Sequence, residues 1–201
     1  MRNSRILAAA AVAAAAISLW GMAGSASATA LYKGANKLGV NTAFQASVVT
    51  AMLFKDTAGG MSINNTCKKS LMEGKITKAG GAAETVVLAI ENLAWEECSV
   101  NTATDTGGTL EVHWLEGTKN GPATLIGTTI TINIGLTPCL YGAGAGIELG
   151  TLIGSTAADA TIEPITALEE QAPKRLICPD TIVWTGKYQF NSPTPLHVTK
   201  E

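Results

Sequence analysis

Ile130-Thr131-Ile132-Asn133-Ile134 alternates apolar and polar residues with a period of two, which puts three isoleucines on one face of an extended chain and Thr131 and Asn133 on the other. That is the pattern of a half-buried β-strand. Leu110-Glu111-Val112-His113-Trp114 repeats it, and Ile182, Trp184, Tyr188 and Phe190 form a third apolar stripe with Thr185, Lys187 and Gln189 opposite. Less regular strands are expected over residues 42–53, 70–77, 85–93, 150–154 and 160–168. Turn signals fall between the runs at Asp56-Thr57-Ala58-Gly59-Gly60, Ala79-Gly80-Gly81-Ala82, Asp105-Thr106-Gly107-Gly108 and Lys119-Asn120-Gly121-Pro122. Only Ala167–Arg175 offers a short helix, and Pro173 limits it. Many short strands with such turns predict an all-β fold, a single antiparallel β-sandwich of immunoglobulin-like or related type, with a closed β-barrel as the alternative.

Of the 201 residues, 46% are hydrophobic and only 15% charged, enough apolar content for a core. Arg2 and Arg5 precede an Ala-rich apolar run from Ile6 to about Ala23, followed by Gly24-Ser25-Ala26-Ser27-Ala28. A basic start, an apolar middle and a small-residue cleavage site in that order read as a secretory signal peptide over residues 1–28. Cutting after Ala28 leaves 173 of 201 residues as one domain, 29–201. Removing Arg2 and Arg5 from the 14 basic residues leaves 12 against 16 acidic ones, a net charge of −4, with Arg175 the only remaining arginine. No Arg-rich stripe offers itself to nucleic acid, and no polybasic patch to a membrane surface. No second apolar stretch approaches the roughly 20 residues of a spanning helix. The expectation is a secreted or cell-surface protein, without a transmembrane segment after signal cleavage.

Four cysteines behind an export signal imply two disulfides, because the receiving compartment is oxidising. Cys67, Cys98, Cys139 and Cys178 lack the close ligand pairs of a zinc site, so no metal is expected. Setting Gly74-Lys75-Ile76 over Gly150-Thr151-Leu152 aligns Ala82 with Ala158, Thr85 with Thr161 and Val86 with Ile162. Two approximate halves emerge, 67–98 and 139–178, each bounded by cysteines. They favour Cys67–Cys98 and Cys139–Cys178 over the crossed pairings.

The run Trp184-Thr-Gly-Lys-Tyr-Gln-Phe-Asn-Ser-Pro-Thr-Pro-Leu196, the two cysteine-bounded halves and the Ala-rich leader together resemble small exported actinobacterial β-proteins of unassigned activity. A looser likeness, in size and cysteine placement, is to secreted proteins labelled as activators of alkane oxidation. The resemblance rests on structural motifs and implies no catalytic residues.

The constellations that could carry chemistry all have plainer readings. Asp105-Thr106-Gly107 matches the short aspartic-protease motif, but Asn101-Thr-Ala-Thr104 precedes it instead of a hydrophobic strand, and a hairpin turn accounts for it. Glu96-Glu97 and Glu169-Glu170 are adjacent pairs, which a strand sends to opposite faces rather than across one scissile bond. His113 reads as an exposed strand residue and His197 as part of an unfixed tail after two prolines; no G-x-S-x-G elbow presents a serine. Gly142-Ala-Gly-Ala-Gly146 leads into an apparent strand, unlike a phosphate cradle, which leads into a helix. Trp95, Trp114, Tyr141 and Trp184 are the rings that could meet a ligand, with core packing the plainer reading. These residues predict a non-catalytic exported protein, with a structural or adhesive role toward an unidentified envelope component. The alternative is a module binding a small apolar or carbohydrate ligand, and no cofactor is expected.

Overall fold

The computed structural model describes residues 28–56, 63–82 and 84–201. Apart from Ala28, the signal segment expected over 1–28 therefore lies outside the described residues, as does most of the turn expected at 56–60. The described residues form strands and no helix. Two short strands, β1 (Ala30–Lys33) and β2 (Asn36–Lys37), precede three long ones, β3 (Ala43–Asp56), β4 (Asn64–Gly81) and β5 (Glu84–Cys98). Short strands follow: β6 (Thr102–Thr106), β7 (Thr109–Val112), β8 (Gly121–Ile126), β9 (Thr129–Ile134), β10 (Thr137–Gly142), β11 (Ile147–Ile153), β12 (Thr161–Ile162) and β13 (Ile165–Glu170). The long β14 (Thr181–Ser192) and the short β15 (Leu196–Thr199) end the fold.

The main sheet runs β12-β11-β8-β7-β5-β4-β3-β14-β13-β10-β9-β6, and a further β12–β14 pairing closes its first eight strands into a barrel. The all-β class is as expected, in the form given as the alternative. Closure follows from the length of β14, whose two halves pair with different neighbours. Ile182 to Thr185 lie beside Leu168 to Ile165 of β13, whereas Tyr188 and Gln189 lie beside Ile162 and Thr161 of β12. A strand that serves two partners on one edge turns the sheet back on itself, and closure removes the exposed edges of an open sheet. The remaining arm, β13-β10-β9-β6, curls toward the far half of β5, where Trp95 Nε1 donates to Thr104 Oγ1 of β6 at 2.7 Å. The long strands are thereby shared by both parts of one continuous core.

The first and last described strands pair with each other in a second, three-stranded sheet, β15-β1-β2. β1 pairs antiparallel with β15, Leu31 opposite Val198, and Leu31, Leu196 and Val198 are buried in the common core. The burial of β8 and β13 alternates strictly, as a period of two requires. β13 also corrects the helix expected at Ala167–Arg175: Thr166, Leu168 and Glu170 point inward and Ile165, Ala167 and Glu169 outward, so the segment's period is two and its remainder is loop.

A second correction concerns Asp105-Thr-Gly-Gly108. Asp105 lies within β6, and Gly107-Gly108 is no hairpin, because β6 pairs with β9 while β7 pairs with β5 and β8. The glycines carry the chain between the two arms through a tight passage. A β-carbon at Gly107 would sit 2.1 Å from the Ile90 carbonyl oxygen, and Gly108 has φ +76° with the Ile126 carbonyl oxygen 2.3 Å from its missing β-carbon.

The disulfides are Cys67–Cys98 and Cys139–Cys178. The first joins register partners across the β4–β5 hairpin; the second ties β10 to the loop between β13 and β14. The span 67–98 is thus essentially one hairpin, whereas 139–178 runs through four strands.

Candidate functional site

The wall of the barrel opens between β3 and β4. Their ladder runs to Ser47 opposite Leu71, stops, and resumes at Met52 opposite Cys67, so that four residues of β3 face three of β4 without pairing. β3 stays paired with β14 nearby, with Val48 opposite Tyr188 and Thr50 opposite Lys187, but its register shifts between those pairs, so the irregularity of β3 is felt on both of its edges and breaks the ladder only on the β4 side. The opening forms a cavity of about 230 Å³. Ser47 and Val48 line it from β3, Lys69, Ser70 and Leu71 from β4, and Ala94 and Glu96 from β5.

Its most buried lining residue is Ser70, which is hydrogen-bonded to a second hydroxyl in the core. Ser70, 4% exposed, donates to the Ala94 carbonyl oxygen at 2.8 Å, and its Oγ lies 2.6 Å from the hydroxyl of the fully buried Tyr188. Burial raises the Tyr188 pKa above the ordinary tyrosine value, the bond to Ser70 opposing this more weakly. At the rim, Lys69 binds Glu97 at 2.5 Å, with Glu96 as a weaker neighbour. The hydrogen bond and charge of Glu97 raise the lysine's pKa, and those of Lys69 lower the glutamate's. Ser47 Oγ accepts from Asn191 Nδ2 at 2.8 Å. Among the described residues, the side-chain hydrogen bonds of Ser70 are those to the Ala94 carbonyl oxygen and the Tyr188 hydroxyl.

The four candidate rings lie elsewhere. Trp95 and Trp184 meet edge-on at 5.4 Å, and Phe54 and Tyr188 complete the cluster at 5.1 to 6.3 Å. Tyr141 is fully buried, its hydroxyl and Trp184 Nε1 having no hydrogen-bond partner among the described residues. Burial raises the Tyr141 pKa, and Glu170, Asp56 and Asp180 add to the effect. Trp114 is half-buried and donates to the Thr118 carbonyl oxygen at 2.9 Å.

The remaining candidates are dispersed. Asp105 Oδ2 accepts from Thr131 Oγ1 at 2.8 Å on the outer face. Glu169 is exposed, while Glu170 is buried and accepts from the Arg175 backbone at 2.8 Å, the opposite faces expected of strand neighbours. The Gly142–Gly146 segment leads from β10 into the strand β11. His113 is half-buried, its backbone bonded to Pro122. His197 corrects the expectation of an unfixed tail: it is 5% exposed in β15, stacked on Tyr32 at 5.7 Å, with Nδ1 unpartnered among the described residues. Among the described residues no three His, Cys, Asp or Glu side chains converge as a metal site, and no helix is long and apolar enough to cross a membrane.

The wall cavity itself escaped the sequence, because a break in one ladder depends on how β3 registers against both neighbours. No protein-family model, curated protein or solved structure matches the chain.

Proposed function

We propose that the protein is exported and does non-catalytic, structural or adhesive work at the cell envelope or outside the cell. The observation that carries this reading is the filled interior: Phe54, Trp95, Trp184 and Tyr188 pack against one another where a ligand-binding barrel keeps its cleft. Two disulfides support an oxidising, extracytoplasmic setting. The resemblance to small exported actinobacterial β-proteins points the same way. Asp105 bonded to Thr131, Glu97 held by Lys69 and His197 packed on Tyr32 each have a structural occupation, which supports a role without acid–base chemistry.

The test is complementation of a deletion strain scored for surface adhesion and envelope integrity. Asp105→Ala, His113→Ala and Glu97→Ala are expected to restore the parental phenotype. Trp184→Ala is expected to fail, because loss of a buried indole costs on the order of 3–5 kcal/mol. If one of the three polar variants failed while circular dichroism remained native, a specific active or receptor site would replace this reading.

A further inference from the structure

Of the 12 basic residues after Ala28, all but Lys119, Lys174, Arg175 and Lys200 lie in strands. A strand held in its ladders cannot enter a protease cleft, which takes the chain as a separate extended segment. The adjacent pair Lys68-Lys69 is shielded in this way, lying within β4 with Cys67 opposite Cys98 and Lys69 opposite Glu96 of β5. The bond after Lys119 is pinned on both sides. The Lys119 carbonyl oxygen accepts from the Val198 backbone at 2.9 Å, and the Asn120 N–H donates to Thr118 Oγ1 at 3.0 Å. Lys200 precedes only Glu201.

Lys174-Arg175-Leu176 is placed differently. It stands in the loop between β13 and β14, outside any ladder, with all three residues exposed and Leu176 wholly in solvent. Exposed loops of this kind are where native chains are nicked. Lys174 reaches Asp180 at 3.1 Å, but both side chains are more than half exposed, so water screens the pair. Two bonds restrain the backbone: the Arg175 N–H donates to the Glu170 carboxylate at 2.8 Å, and the Cys178 N–H donates to the Arg175 carbonyl oxygen at 2.9 Å. A local opening that releases both leaves Ile165 to Glu169 of β13 paired with β14.

Cys178 lies two residues beyond Leu176 and is bonded to Cys139 of β10. A cut before Leu176 therefore leaves the C-terminal piece covalently attached, with β14 still paired to β3, β12 and β13 and β15 to β1. We propose that the Arg175–Leu176 bond is a processing site for a trypsin-like serine endopeptidase, whose acidic pocket accepts Arg175, and that the product is a two-chain, disulfide-linked barrel. Water supplies the atoms. Its hydroxyl joins the Arg175 carbonyl carbon as the C–N bond breaks and its proton goes to the Leu176 nitrogen, leaving a carboxylate on one side and an ammonium on the other. Meeting such an enzyme rests on the export proposed above; the accessibility of the bond does not.

The test is a time course of the oxidised, folded protein with dilute trypsin, read on reduced and non-reduced gels with mass spectrometry of the fragments. The first product should be one band without reductant and two with it, the smaller beginning at Leu176, while circular dichroism stays native. Lys174→Gln combined with Arg175→Gln changes two exposed side chains and should slow that cut by about 100-fold or more, because a pocket built for a cation rejects a side chain without one. Protein from culture supernatant or envelope should separate into the same two pieces on reduction, and the double variant should not. A first cut at another bond, or an equal rate in the double variant, would overturn the assignment. Failure of export would show as intact protein confined to the cytoplasm, and failure of this site as intact protein outside the cell; either overturns processing at Arg175.

Discussion

Tyr141 and Tyr188 are both fully buried, yet only Tyr188 has a hydrogen-bond partner, Ser70. A buried hydroxyl without a partner forfeits its hydration and regains nothing, a penalty of about 1–3 kcal/mol. Tyr141→Phe is therefore expected to leave stability unchanged or raise it by about 1 kcal/mol, whereas Tyr188→Phe should lower it by about 1 kcal/mol. Urea denaturation of the two variants checks the contrast, and equal losses would contradict it. His197 gives a pH test at the same scale. Burial, with Lys119 adding to it, lowers its pKa from the ordinary histidine value. An unfolded histidine titrates near about 6.5, so as pH falls the unfolded chain takes up its proton first. The stability contributed by neutral His197 is thus present above that value and lost as pH falls toward the folded one. His197→Phe should show a smaller fall in melting temperature between pH 7 and pH 5 than the parent; an identical fall would remove His197 from the account. The sequence hid this residue because its partner strand lies at the other end of the chain: β1 pairs with β15 through Tyr32 opposite His197, and two prolines before the segment suggested a loose tail.

Strands with regular alternation were legible, and connections between them less so. Ile130 and Ile132 are buried in β9, and Ile182, Trp184, Tyr188 and Phe190 all lie inward along β14, as their spacing indicates. The Gly107-Gly108 crossing resembles a hairpin in the sequence because local chemistry distinguishes a turn from a strand, not which strands the turn joins. Gly107→Ala would drive a β-carbon into the Ile90 carbonyl oxygen, and a loss of ~1–3 kcal/mol or more is expected in thermal unfolding. Tolerance of that substitution would mean the two arms are not held as closely as described. The disulfides were legible as a pairing, and Cys139–Cys178, with a sequence separation of 39, closes the longer loop. Replacing both cysteines by alanine should cost roughly 3–4 kcal/mol by the chain-entropy argument, measured by urea denaturation of an otherwise oxidised protein. A negligible effect would place the loop between β13 and β14 outside the cooperative unit. The opening between β3 and β4 left no trace in the pattern, since Val48-Val49-Thr50-Ala51 reads like any strand interior.

At the scale of the molecule, the alternating runs and the turns between them indicate an all-β domain, but whether the sheet closes depends on long-range pairing that no local pattern encodes. β14 is one apolar stripe in sequence; only its neighbours divide it, with β13 along its first half and β12 along its second. Export belongs to this scale as well. N-terminal sequencing of protein from culture supernatant or envelope should begin at Thr29, and intact Met1 there would contradict removal of the signal. The closed barrel rests on the pairing of β12 with β14, which brings Ile162 opposite Tyr188 and Thr161 opposite Gln189. The most direct measurement is a solution NMR study of that seam. The closed barrel predicts cross-strand nuclear Overhauser contacts between Ile162 and Tyr188, with slowly exchanging amides in β12; absence of those contacts, with β12 amides exchanging as fast as a loop, would mean an open sheet and would contradict it.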